Sequence, residues 1–129
     1  MAIVAFKRGF GFFRSLQVLD LVGGPRDGGY RRKVADIRAA SAPDALLSGI
    51  ARALEAPDGY LAHTNLDLLE EIVSDLGWMP FDRLALVLIG SAAQWRTQYA
   101  AMSTVLEICA DASTLWQSEG KGFFTAFVD

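Results

Sequence analysis

The stretch RLALVLI, residues 83–89, constrains the fold more than any other in this 129-residue chain. After Arg83 come six aliphatic residues with no polar alternation. A strand with one wet face alternates apolar and polar side chains, whereas an unbroken run fits a strand covered on both faces of a parallel sheet. FFTAFV, residues 123–128, reads the same way. Parallel neighbours cannot be joined by tight turns, so crossover helices have to lie between them.

The intervening segments supply such helices. SAPDALLSGIARAL (41–54) opens with Ser41 as a candidate N-cap, Pro43 in the first turn and Asp44 three residues after the serine. Leu46, Leu47, Ile50 and Leu54 keep a helical period, and Pro57-Asp58-Gly59 ends the segment. A second helix is predicted near 65–76, closed by Gly77. Residues 91–120 read as a short helix and a longer one, stopped by Gly120 and Gly122. YRRKVADIRA (30–39) is a partly alternating strand. Ahead of it, AIVAF (2–6) and FFRSLQVLDLV (12–22) read as two strands, followed by the turn GGPRDGG (23–29). The expected fold is α/β, with a small, mainly parallel three-stranded sheet, helical crossovers and an N-terminal β-hairpin extension. Residues 1–32 form the extension and glycine-rich turn, and 33–129 the α/β domain.

Several function classes recede on composition. The N-terminus has no signal-peptide pattern, and the longest apolar run, residues 84–93, is about half a membrane span. A cytoplasmic protein with no membrane partner is expected. One cysteine, Cys109, and one histidine, His63, allow neither an internal disulfide nor a Cys/His metal cluster. No cofactor or metal is expected.

The net charge of −3 hides an asymmetry. Residues 1–52 carry nine basic and four acidic side chains, whereas 53–83 carry one basic and seven acidic. Between Ala53 and Asp82 there is no lysine or arginine. The negative charge peaks on the second helix. At about 100° per residue, Asp67, Glu70, Glu71 and Asp75 share one face, and Leu66, Leu68, Leu69, Ile72, Val73 and Leu76 the other. Thr64 and Asp67 fit a capping box, and an acid in the first turn suits the helix dipole. The remaining acids are not explained by helix stability. Asp67–Glu71 and Glu71–Asp75 are like-charge pairs one turn apart, and Asp75 stands where the dipole disfavours an anion. Such a face suits a cationic cleft, its carboxylates standing where successive phosphates would lie. The preceding loop adds Tyr60 and His63, and tyrosine is a frequent interface anchor.

These features together resemble the barstar family of ribonuclease inhibitors over roughly residues 33–129. The resemblance runs through KVADIRAASAPDALLSGIARAL, the PDGY loop and NLD at the head of the second helix. It continues through Gly77-Trp78, the aliphatic strand, the long helix ending in Glu119-Gly120 and the last strand. It implies a non-enzymatic inhibitor or immunity protein that blocks the active site of a basic nuclease, a ribonuclease toxin. In that family a loop tyrosine and two acids one turn apart fill the enzyme's active site; Tyr60, Asp67 and Glu71 match them here. Glu70, Asp75 and His63 are expected beside them at the partner interface. Glu70 stands where the family has an aromatic residue, and the stretch from NLD to Gly77-Trp78 is two residues longer. A barstar-like module with a non-nuclease partner is the alternative.

One competing motif comes from the N-terminus. KRGFGFFRS (7–15) resembles the core signature of an RNA-recognition module through Arg8, Gly9, Phe10, Gly11 and Phe12. Its position, only a handful of residues into the chain, does not fit that module, so nucleic acid is not the expected partner. A hairpin whose phenylalanines pack on the core is the simpler reading. Arg31, Arg32 and Lys33 are read as a solvated cluster, and Trp78, Trp95 and Trp116 as core or core-edge residues.

Overall fold

The computed structural model describes residues 3–5, 9–21, 30–61 and 67–129, with the backbone alone for 3–5, Leu21, Tyr60 and Leu61. Its elements are β1 (Ile3–Ala5), β2 (Phe10–Phe13), α1 (Leu16–Leu21), β3 (Arg31–Asp36), α2 (Pro43–Ala53) and α3 (Asp58–Leu61). They continue with α4 (Asp67–Asp75), β4 (Arg83–Ile89), α5 (Ser91–Thr97), α6 (Tyr99–Ser118) and β5 (Gly122–Val128). One sheet runs in the order β1-β2-β5-β4-β3. β3, β4, β5 and β2 are parallel neighbours, and β1 closes the edge antiparallel to β2.

β4 is an interior strand, between β5 and β3, and is covered on both sides, as its unbroken apolar run requires. Leu84, Leu86 and Leu88 join Phe123 and Phe127 beneath α2, α4 and α6, in a core that includes Leu46, Ile50, Leu69, Ile72, Met102 and Val105. On the opposite face Val87 packs with Phe124, Ala126 and Val128, and Phe13 and Leu19 from the N-terminal segment complete that layer.

The parallel part of the sheet therefore has four strands, not the expected three. The N-terminal hairpin does not project from the domain; β2 adds to the free edge of β5. Phe12 stacks on Phe127 with ring centroids 5.3 Å apart, and Thr125 N donates to Gly9 O at 2.9 Å. Gly9 has φ +79°, and a Cβ there would lie 2.0 Å from Ser113 Oγ on α6, so glycine is required for this approach. The glycines and phenylalanines of the RNA-module-like motif are thus accounted for by packing. Phe10 and Phe12 pack against one core and Phe13 is buried in the other, so these rings serve packing.

The expected strand at 12–22 also divides differently. It ends at Phe13, and residues 16–21 form α1. Ser15 caps that helix, its Oγ accepting from Val18 N at 3.2 Å. Leucine-rich LQVLDL suits helix better than strand, and only the helical form turns Leu19 onto the second sheet face. Ion pairing of Arg32 with Asp20 ties α1 to β3. In α2, Pro43 opens the helix but Ala42, not Ser41, is the N-cap, without a side-chain cap. The helix ends at Ala53 with Leu54 as its C-cap, and Glu55 just beyond it has φ 57°. α5 and α6 reproduce the expected short and long helices.

Two outcomes are expected. Leu19 is fully buried, so Leu19→Ala should cost about 2–4 kcal/mol in urea unfolding, as a core truncation does; a surface arm would lose less than about 0.5 kcal/mol. Burial pushes the Cys109 thiol up to about 12. A thiol reagent at pH 8 should therefore modify Cys109 only at the rate of unfolding.

Candidate functional site

Helix α4 turns its aliphatic face inward and its acids outward. Leu69, Ile72 and Val73 are buried, whereas Asp67, Glu70, Glu71 and Asp75 are exposed. The division follows the helical period read from the sequence. Two indoles fasten the region through their N–H groups. Trp116 Nε1 on α6 donates to Val73 O at 2.7 Å, and Trp78 Nε1 donates to Leu54 O at 2.9 Å. Phe81 meets the Trp116 ring edge-on at 5.0 Å. The acids thus stand on a helix held against the core.

The exit from α4 departs from expectation. Leu76, not Gly77, takes the left-handed conformation, with φ 49°. Its side chain is only 2% exposed. Burying a leucine contributes about 1.5–3 kcal/mol, which offsets a left-handed cost of about 1–2 kcal/mol. Asp75 has a structural duty here, since its Oδ1 accepts from Gly77 N at 3.2 Å. Ser74 Oγ donates back to Glu70 O at 2.6 Å.

The basic triplet Arg31–Lys33 is engaged elsewhere; the turn expected at 23–29 lies outside the described residues. Arg32 pairs with Asp20, and Lys33 with Glu55 at 2.6 Å. Arg31 donates to Pro80 O at 3.5 Å. The Lys33 ammonium, with Arg31 adding at longer range, holds the Glu55 carboxyl below its usual range. Among the described residues, Glu70 and Glu71 form no ion pair.

Tyr60 lies in the one-turn helix α3, before the acidic helix in the chain. Its side chain, His63 and the Thr64 half of the expected capping box lie outside the described residues. No group of three or more His, Cys, Asp or Glu among the described residues could hold a metal ion.

The sequence did not reveal a cleft of about 180 Å³ between α4 and α6. Glu70, Val73 and Ser74 line one wall, and Ile108, Asp111 and Leu115 the other. Its signal lies in the spacing of α6. Ile108, Asp111 and Leu115 fall at i, i+3 and i+7, on a stripe beside the buried Val105, Cys109 and Ala112. Leu115 is 40% exposed.

A family model described as Barstar (barnase inhibitor) matches residues 30–128, so β1, β2 and α1 lie outside the match. No curated protein and no solved structure matches the chain.

Because Glu71 has Asp67 and Asp75 one turn away on either side, Glu71→Gln should stabilise the fold by about 0.5 kcal/mol at low ionic strength. Urea midpoints measured at low and high salt check this: the gain should shrink with salt. Destabilisation would mean that the folded chain itself uses the Glu71 charge.

Proposed function

The chain belongs to the barstar family, whose members are inhibitors and not enzymes, and on that premise we propose that it binds a basic ribonuclease toxin and occludes its active site. One observation carries the reading: four carboxylates stand exposed on a helix whose other face is locked into the core. Held this way, the acids lose little further freedom on binding, so less of the interaction is spent on ordering side chains. In a cationic cleft that normally receives phosphates they replace the substrate's charge without offering a bond to cleave.

In this reading Asp67 and Glu71 enter the cleft, with Glu70 flanking them. Tyr60 and His63 belong to the contact segment ahead of the helix. Asp75 contributes mainly field, because its carboxylate also fastens the helix exit. The acidic stretch steers the encounter, which matters for a protein that has to capture a toxic nuclease inside the cytoplasm. The hairpin and α1 act in the fold, not at the interface. The described residues contain no helix long and apolar enough to cross a membrane, and the proposed mechanism requires none.

The test is an RNA-cleavage assay with two enzymes, barnase and any small basic ribonuclease encoded beside this gene. Stoichiometric inhibition of at least one is expected. Asp67→Asn and Glu71→Gln should each weaken binding of that enzyme by about 2–5 kcal/mol. The double variant should also lose association rate and much of its salt dependence while remaining folded. Undiminished inhibition by the double variant would remove the acidic helix from the interface. Capture of a partner with no nuclease activity would establish the interaction-module alternative.

A further inference from the structure

We propose that the outer edge of β3 pairs with the same edge of a second copy of this chain, in an antiparallel two-fold dimer centred on Val34. The proposal uses none of the residues on which the inhibitor reading depends. β3 is the last strand of the sheet, with β4 on one side and no strand on the other among the described residues. One bond fixes which of its peptide groups face outward. Ile37 N, just past the strand, donates to Ile89 O of β4 at 2.8 Å. The N–H and C=O of one residue point to the same side of a strand, and the side alternates along it. Lys33 and Ala35 therefore face β4, and Arg32, Val34 and Asp36 face away from it. Among the described residues, the backbone groups of these three have no partner outside the ladder. Val34 is also 49% exposed on this edge. An open edge of this kind is a template for strand pairing.

The charges select both the partner and the register. When two copies meet antiparallel about a two-fold axis, outward residues pair with outward residues. With Val34 opposite itself, Arg32 of each copy faces Asp36 of the other, so opposite charges meet at both ends. Slipping by two residues in one direction sets Lys33 against Lys33; slipping in the other sets Asp36 against Val34. Opposite charges directly across a ladder stabilise it, and like charges destabilise it. Only the register centred on Val34 joins apolar to apolar and cation to anion. Arg32 already pairs with Asp20, but its guanidinium has donors enough for a second carboxylate. The Asp36 side chain is half-exposed beside Arg38 and can accept from both.

Sedimentation velocity of the full-length protein, from micromolar to millimolar concentration, should show reversible dimerisation. Arg32→Asp and Asp36→Arg each place like charges opposite one another at both ends, and each should weaken self-association about tenfold or more. An equimolar mixture of the two variants restores opposite charges at both ends and should form a heterodimer. General attraction cannot produce that effect, because the chain carries −3 and each substitution changes this by two, leaving both variants net negative. Amide exchange reads the register: Arg32, Val34 and Asp36 should slow as concentration rises, whereas Lys33 and Ala35, bonded to β4, should not change. Circular dichroism checks that the variants are folded. If Arg32→Asp loses its fold with the Asp20 pair, Val34→Asp, at an exposed position, brings like charges together on the axis and should likewise abolish the dimer. A protein that stays monomeric at millimolar concentration, or a dimer that Asp36→Arg and Val34→Asp leave undiminished, would overturn the assignment.

Discussion

Everything in this molecule follows from β4 having no face that can meet water. Six aliphatic residues in succession point alternately to both sides of the sheet, so two apolar layers are needed. The crossover helices α2, α4 and α6 furnish one of them. They cannot furnish the other, and the N-terminal segment does so with Phe13 and Leu19. A stretch that looks like an appendage in the sequence is therefore part of the core. This also explains its small residues: β2 approaches α6 so closely that Gly9 leaves no room for a side chain beside Ser113.

The same economy governs α4. Its apolar stripe is fixed by burial, so its outer face, apart from the Asp75 bond to Gly77 N, can be chosen for charge. The helix lies in a stretch of sequence without lysine or arginine, and its like-charge neighbours one turn apart and the acid in its last turn work against it. The fold tolerates this because each penalty is a few tenths of a kcal/mol, small beside the burial of Leu69, Ile72, Val73 and Leu76. Among the described residues, Arg32 and Lys33 are paired with Asp20 and Glu55, not with Glu70 or Glu71. A surface kept electrostatically uneasy while the interior is well packed is the pattern expected where local stability yields to recognition.

Much of this was legible in the chain. The runs at 83–89 and 123–128 determined a parallel, doubly covered sheet, and the 3.6-residue period determined that Asp67, Glu70, Glu71 and Asp75 would share one exposed face. These are local facts, set by the spacing of side chains along one element. Tertiary structure decided what depends on contacts between distant residues. It made the N-terminal strand a fourth parallel member, put Leu19 under the second face and turned residues 16–21 into helix. It let buried Leu76 take the left-handed turn that Gly77 could have taken at less cost, and it opened the cleft between α4 and α6. In each case the deciding energy is burial against a partner far away in sequence, and no window of neighbouring residues contains that partner.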